Sequence, residues 1–236
     1  MRKPFFSLLF LFVLLSAVAL PVYAASYSPG VAVGDYVKYG NFAGEGAGND
    51  VFNDISYQQF EITAVSGQDI TLFSTGQYKD GSAVPGDGTS AVWNVAAGTQ
   101  NGIPETQGPI IAANLNQGDA IPPENTYTVN ATEDRTYLGV VRSVNTLTVS
   151  VETPDYSTQL SYVYDRASGM LLEASSQTTT QSETSGYSYS VIETNLFGED
   201  STPSNGDSTV FYLAIVAIVI IVVVLAAVLL LNRKRL

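Results

Sequence analysis

Val210 to Leu231 is 22 consecutive residues without a charge, a glycine or a proline. At a helical rise of about 1.5 Å per residue such a run is about 33 Å long, enough to cross a hydrocarbon core of about 30 Å. The alternative, a core helix of a soluble domain, would have to be apolar on every face for six turns, whereas such helices carry a polar face. The run therefore predicts a transmembrane helix over residues 210–231. Arg233, Lys234 and Arg235 follow it at once, and Glu199, Asp200 and Asp207 precede it. These three basic residues set the topology by the positive-inside rule: the tail, residues 232–236, is cytoplasmic and the bulk of the chain lies outside.

The other end agrees. Arg2 and Lys3 are followed by the apolar stretch Phe5 to Leu20 and then by Pro21-Val22-Tyr23-Ala24, the arrangement of a secretory signal with its cut after Ala24 or one residue later. An uncleaved anchor is the competing reading, and the apolar stretch is short for one. No cysteine follows the cut, so lipid attachment there is excluded. The expected organisation is a signal peptide (1–24), an extracytoplasmic domain (25–197), a flexible tether (198–209) rich in Gly, Ser, Asp and Pro, the transmembrane helix and the tail. The bilayer is thus the first expected partner, and the cell membrane, single-pass, the expected location.

Composition then narrows the chemistry. Five of the ten Lys and Arg flank the hydrophobic ends, which leaves Lys38, Lys79, Arg135, Arg142 and Arg166 against 22 acids, a net charge of −17 for the exported part. Nucleic-acid binding needs clustered cations and is excluded as a partner class. Charged residues make up only 14% of the chain, against about 25% in typical domains, so the surface is acidic but mostly uncharged. There is no cysteine and no histidine. Disulfides, the Ser-His-Asp triad, the Cys-His dyad and His-ligated zinc are all removed, and catalysis would have to rest on carboxylates, Tyr, Lys or a hard cation.

Between the ends the pattern is β. Phe60, Ile62 and Ala64 alternate with polar residues, turn at Ser66-Gly67 and continue in Ile70 and Leu72; Ala91-Trp93-Val95, Leu147 to Val151 and Leu160 to Tyr162 alternate in the same way. In QLSYVYDRASGMLLEASS two strands flank a turn that Asp165 can hold and Gly169 can close in the left-handed conformation. The last strand, Tyr187 to Phe197, switches parity near Val191, which predicts a bulge there. One helix of at most two turns is predicted in PIIAANLNQG, with Pro109 in its first turn and Gly118 closing it. Residues 40–53 and 79–90 read as long surface loops. The fold class is mainly β: one antiparallel curved sheet, a half-barrel or barrel-like domain, plus the C-terminal transmembrane helix.

Few motifs carry chemistry. Asp50, Asn53, Asp54, Asp80 and Asp87 fall in Gly-rich loops whose oxygen ligands suit calcium, the one cofactor in view, but their spacing is not that of a calcium hand and ordinary turn chemistry explains them better. Asn130-Ala131-Thr132 is a glycosylation sequon on the outer side. Carboxylate pairs for glycoside hydrolysis can be drawn from Glu133-Asp134, Glu105 or Asp119, though 22 acids give such pairs by chance. No nucleophile motif and no phosphate-binding loop occurs. Tyr36, Tyr39, Trp93, Tyr137, Tyr162, Tyr164, Tyr187 and Tyr189 lie in predicted strands, where an exposed row would stack on sugars or line an apolar groove and a buried one would be core.

Three stretches together, GVAVGDYVKYG, IIAANLNQGDAIP and YVYDRASGMLLEASS, followed by a tether and a span with a basic tail, resemble uncharacterised archaeal exported proteins with a GDYVKY-like opening, a YDxxTG-like hairpin and a C-terminal membrane anchor. Ser168 stands where that hairpin has Thr. The resemblance implies a β fold and a surface address, not a reaction. A more distant likeness, through the hairpin pattern alone, is to the curved sheets of periplasmic lipoprotein carriers. The expected function is a non-catalytic extracytoplasmic domain that binds or contacts a surface protein, glycan or lipid. A carrier or sensor of a lipid-like ligand on a concave sheet is the first alternative, and a carboxylate-dependent polysaccharide hydrolase the second.

Overall fold

Alternating burial along single strands builds one large sheet. The computed structural model describes residues 27–46, 48–105, 108–123 and 127–198. The predicted signal peptide, nearly all of the tether, the transmembrane run and the tail with Arg233, Lys234 and Arg235 lie outside the described residues. No helix among those described is long and apolar enough to cross a membrane.

The first half is a meander of β1 (Tyr36–Glu45), β2 (Ile55–Ser66), β3 (Asp69–Tyr78), β4 (Thr89–Asn94), β5 (Thr99–Gln100) and β6 (Ile103–Pro104). After a separate two-strand ribbon, β7 (Ala120–Ile121) with β8 (Tyr127–Thr128), a second meander follows: β9 (Ala131–Tyr137), β10 (Val140–Glu152), β11 (Tyr156–Asp165), β12 (Leu171–Thr180) and β13 (Thr184–Thr194). Antiparallel pairing of β1 with β13 joins the meanders into a sheet of order β6-β5-β4-β3-β2-β1-β13-β12-β11-β10-β9. Its two ends, β6 and β9, do not pair, so of the forms the sequence left open the sheet is the open one and not a closed barrel: the two meanders are joined at β1–β13, in the middle of the sheet.

The hairpins fall where alternation placed them. In β3 the buried positions are Ile70, Leu72, Ser74 and Gly76, a period of two that puts one face of the strand in the core. The parity switch near Val191 is a bulge: Lys38 faces Glu193 but Tyr39 faces Val191, so Ile192 is the extra residue. The loop expected over residues 40–53 is shorter than that, since β1 runs to Glu45 and a single 3-10 turn occupies Asp50–Asp54.

The helix expected in PIIAANLNQG is absent. Ile110 bridges Met170, the Ile111 amide donates to Gly169 O at 2.9 Å, Leu171 N to Pro109 O at 2.9 Å, Ala113 N to Ser28 O at 2.9 Å and Asn114 N to Arg166 O at 2.7 Å. These long-range bonds take the donors a helix would use, and Asn114 sits at φ +59, a conformation no helix interior holds. The segment is an extended strap laid across one face of the sheet. Ile110, Ile111, Ala112, Ala113 and Leu115 are all buried, and most of them join Val37, Tyr39, Ile62, Leu72, Leu147, Tyr162 and Tyr164 in the core.

Candidate functional site

The strap does not fill the covered face completely. Between it and β2–β4 lies a cavity of about 200 Å³, walled by Phe60, Leu72, Ser74, Ala91, Trp93 and Pro109. Pro85 and Gly86 form part of its rim, and Gln58, Thr89 and Gln100 also line it, Thr89 standing opposite Ser74 across β3–β4. Each wall has a local cause. Leu72 and Ser74 are on the inward parity of β3, and Trp93 is paired with Ile70 across β3–β4. The loop before β4 is drawn down onto the sheet because Gly88 N donates to Ser74 O at 2.8 Å, Asp87 Oδ1 accepts from Gly76 N at 2.9 Å, and Val84 is buried over Gly76. From the strap, Gly108 lies flat on the Trp93 ring; a Cβ there would stand 2.2 Å from it.

The Ser74 hydroxyl is covered rather than presented to the cavity, with under 1 Å² of accessible surface. Ser74 is 8% exposed and its hydroxyl has no hydrogen-bond partner. Two larger clefts lie over β12 and β13: one of about 370 Å³ opens among Ser, Thr and Gly, and one of about 290 Å³ is lined by Ser161, Ser175, Ser188 and Ser190 with Arg135 and Glu173.

At the hairpin the polar groups are fully used. Asp165, 0% exposed, accepts from Arg142 Nε at 2.8 Å and Nη2 at 3.0 Å, from Ser168 N at 2.8 Å and from Ser168 Oγ at 2.7 Å. Gly169 follows at φ +78, as expected of the residue that closes this turn. A Thr at 168 would carry the same hydroxyl. Beside it, Arg166 Nε donates to Leu115 O at 3.1 Å and Nη2 to Asn116 Oδ1 at 2.8 Å, while buried Asn145 donates from Nδ2 to Leu115 O at 2.9 Å. The turn therefore locks the far end of the strap.

Of the eight aromatics expected in strands, Tyr39, Trp93, Tyr137, Tyr162 and Tyr164 are buried core residues. Burial holds the phenols of Tyr39, Tyr162, Tyr164 and Tyr189 well above the ordinary tyrosine range and pushes Tyr137 up to about 12. Tyr187 and Tyr189 are half-buried and form a short row, Phe52 stacked on Tyr187 at 4.7 Å and Tyr187 on Tyr189 at 6.3 Å. Tyr36 sits apart on the outer rim, its hydroxyl donating to Glu193 at 3.0 Å; that bond, with Lys38 at 3.3 Å, holds the Glu193 carboxyl below its usual range.

The acidic candidates are exposed and engaged in turns. Asp80 Oδ1 accepts from the Ser82 amide and hydroxyl, the hydroxyl chiefly lowering its pKa. Asp87 holds Gly76, as above, and Asp50 and Asp54 bound the 3-10 turn, where the Asn53 amide brackets Gly44 N and O. The two loops do meet, but through a cation: Lys79 N donates to Asp54 O at 2.7 Å and its Nζ to Asn53 O. Among the described residues no three acids gather as a metal site. Asn130 is exposed, with Oδ1 accepting from Thr148 N at 2.6 Å. Glu133 pairs with Arg135 at 2.6 Å, Asp119 caps Asn116 N at 2.7 Å, and Glu105 lies exposed near Gly98. Glu133 and Asp134, being neighbours in a strand, point to opposite faces and cannot flank one bond. Each of the cations Lys38, Lys79, Arg135, Arg142 and Arg166 is engaged by the domain itself.

No family model, curated protein or solved structure matches the chain. Sequence reasoning passed over the cavity, whose lining comes from five separate segments between Gln58 and Pro109 and leaves no local pattern. It also passed over the Arg142–Asp165 pair, 23 residues apart in sequence and brought together by the register of β10 with β11.

Proposed function

We propose that the chain is a single-pass surface protein, held in the membrane by residues 210–231, whose exported β domain binds a ligand without transforming it. The observation that carries this reading is the contrast between two places in the fold. The one buried carboxylate among the described residues is committed to Arg142 and Ser168, whereas a cavity lined by apolar and uncharged polar residues lies between strap and sheet. Such an arrangement can hold a molecule, and its lining contains no carboxylate, Lys, Arg or Tyr. The strap occupies the face on which a lipid carrier would need its groove, and the exposed acids are dispersed, so the carrier and hydrolase readings have less support.

Protease added to intact cells is expected to remove the acidic domain and leave the membrane-embedded remnant. A domain that resists on intact cells yet is digested after lysis would overturn the topology.

A further inference from the structure

We propose that Asn130 carries an N-linked glycan, and that the glycan covers the least guarded strand edge among the described residues, the end of β10 that β9 leaves bare. The inference rests on the outside location proposed above, because a sequon is glycosylated on the exported side.

An open sheet has edges, and each offers backbone groups to another chain unless something blocks it. β6 is two residues long and ends in Pro104, which has no N–H to give. On the neighbouring β4, Asn101 engages both N and O of Val92 and leaves only Ser90 beyond it. β9 carries Glu133, Asp134 and Arg135, charges that a docking strand would have to desolvate. β10 is different. It runs to Glu152, but β9 pairs with it only as far as Thr146. Thr148 N faces the β9 side, so by the period of two Ser150 and Glu152 turn their backbone groups the same way, and no described residue takes up those of Ser150. Thr146 to Val151 is uncharged and strand-forming, and Val151 is 44% exposed, a composition that recruits other strands.

Asn130 stands where this bare edge begins. Its N donates to Thr146 O at 2.8 Å and its Oδ1 accepts from Thr148 N at 2.6 Å, so the side chain extends the ladder by one bond. A backbone N–H can only donate, which fixes the amide oxygen against β10 and leaves Nδ2, the atom that takes a glycan, on the exposed side. Glycosylation keeps the carbonyl and therefore that bond. The sequon hydroxyl, Thr132 Oγ1, donates to Asn145 Oδ1 at 2.7 Å once β9 has paired, so the transferase has to act before that pairing. In the transfer Nδ2 gives a proton to the transferase and displaces phosphate from the anomeric carbon of a lipid-linked sugar phosphate, an N–C bond forming as the C–O bond breaks.

The test is mass spectrometry of the full chain extracted from the membranes of its own cells, intact and after digestion. The peptide containing Asn130 should carry the mass of one or more sugar residues. Asn130→Gln and Thr132→Ala should lose that mass, while Thr132→Ser, which keeps a sequon, should retain it. In sedimentation in detergent, Asn130→Gln should self-associate where the parent does not, and Ser150→Lys in the same chain, a charge on the bare edge, should reverse this. Should Asn130→Gln fail to fold, the unsubstituted chain made in cells lacking the transferase supplies the same comparison. An unmodified Asn130 in the native chain would overturn the site, and a glycan whose loss leaves sedimentation unchanged would overturn its role at the edge. Protease shaving reads the topology separately, so an unmodified Asn130 on a domain that is shaved from cells condemns the site alone.

Discussion

Removing either partner of the Arg142–Asp165 pair should be among the most damaging single changes the domain can suffer. Asp165 is 0% exposed and Arg142 6% exposed, and the two meet in a double contact of 2.8 and 3.0 Å. Arg142→Ala would take two of the four donors from the carboxylate and leave its charge to the two from Ser168. Breaking a buried pair from one side costs about 3–5 kcal/mol, mostly because the remaining charge has been taken out of water. With a urea dependence of about 2 kcal/mol per molar, the unfolding midpoint should fall by about 1.5–2.5 M. A domain with a total stability of about 5–15 kcal/mol is then near its limit. Asp165→Ala should cost a similar amount, and the double variant should cost little more than either single one, because both charges leave together. The assay is urea unfolding of the full chain in detergent, followed by Trp93 emission. A single-variant cost below about 1 kcal/mol, or a double variant whose cost is the sum of the two, would refute the view that these charges act as one unit.

Two further outcomes follow from the same core. Gly169→Ala places a Cβ at φ +78 and 2.1 Å from Ile111 O, so it should cost more than about 2 kcal/mol in the same unfolding assay; a neutral variant would mean the strap is not held against the turn. Tyr39, Tyr137, Tyr162, Tyr164 and Tyr189 have folded values raised above those of the unfolded chain, so the stability they contribute is complete below pH about 10 and is lost as pH rises through and beyond about 12. Absorbance at 295 nm should therefore show these phenols ionising after the exposed ones and together with unfolding; a single titration near 10 with the fold intact would contradict their burial.

Much of the sheet was legible because strand burial has a period of two and leaves its mark in the residues themselves. Ile70, Leu72, the turn at Gly67, the bulge near Val191 and the Asp165–Gly169 turn are all local signals, written within ten residues of where they act. Openness of the sheet was not legible. Whether β6 meets β9 depends on strands more than 25 residues apart, and nothing in either reports the other's position. PIIAANLNQG failed for a related reason. A proline followed by Ile, Ala, Asn and Leu satisfies a helix start, but the segment's donors are claimed by Gly169, Ser28 and Arg166, at distances in sequence that no window spans. The cavity inherits part of that error, because Pro109 of the strap closes one side of it.

The strap also decides what size of ligand the face can take, and its energetics argue against its acting as a lid. Lifting it would expose Ile110, Ile111 and Leu115, each buried to 7% exposure or less, at about 1.5–3 kcal/mol per side chain, or about 5–9 kcal/mol together. The bonds from Ile111, Ala113, Asn114 and Leu171, and those that Asn145 and Arg166 make to Leu115 O, would be lost as well. That sum is comparable with the whole stability of a domain of this kind. A broad groove for an acyl chain could thus be opened on this face only by largely unfolding the protein, whereas the cavity beside Trp93 exists with the strap in place. The residues that hold the two meanders under one strap therefore also keep this face closed to an acyl chain.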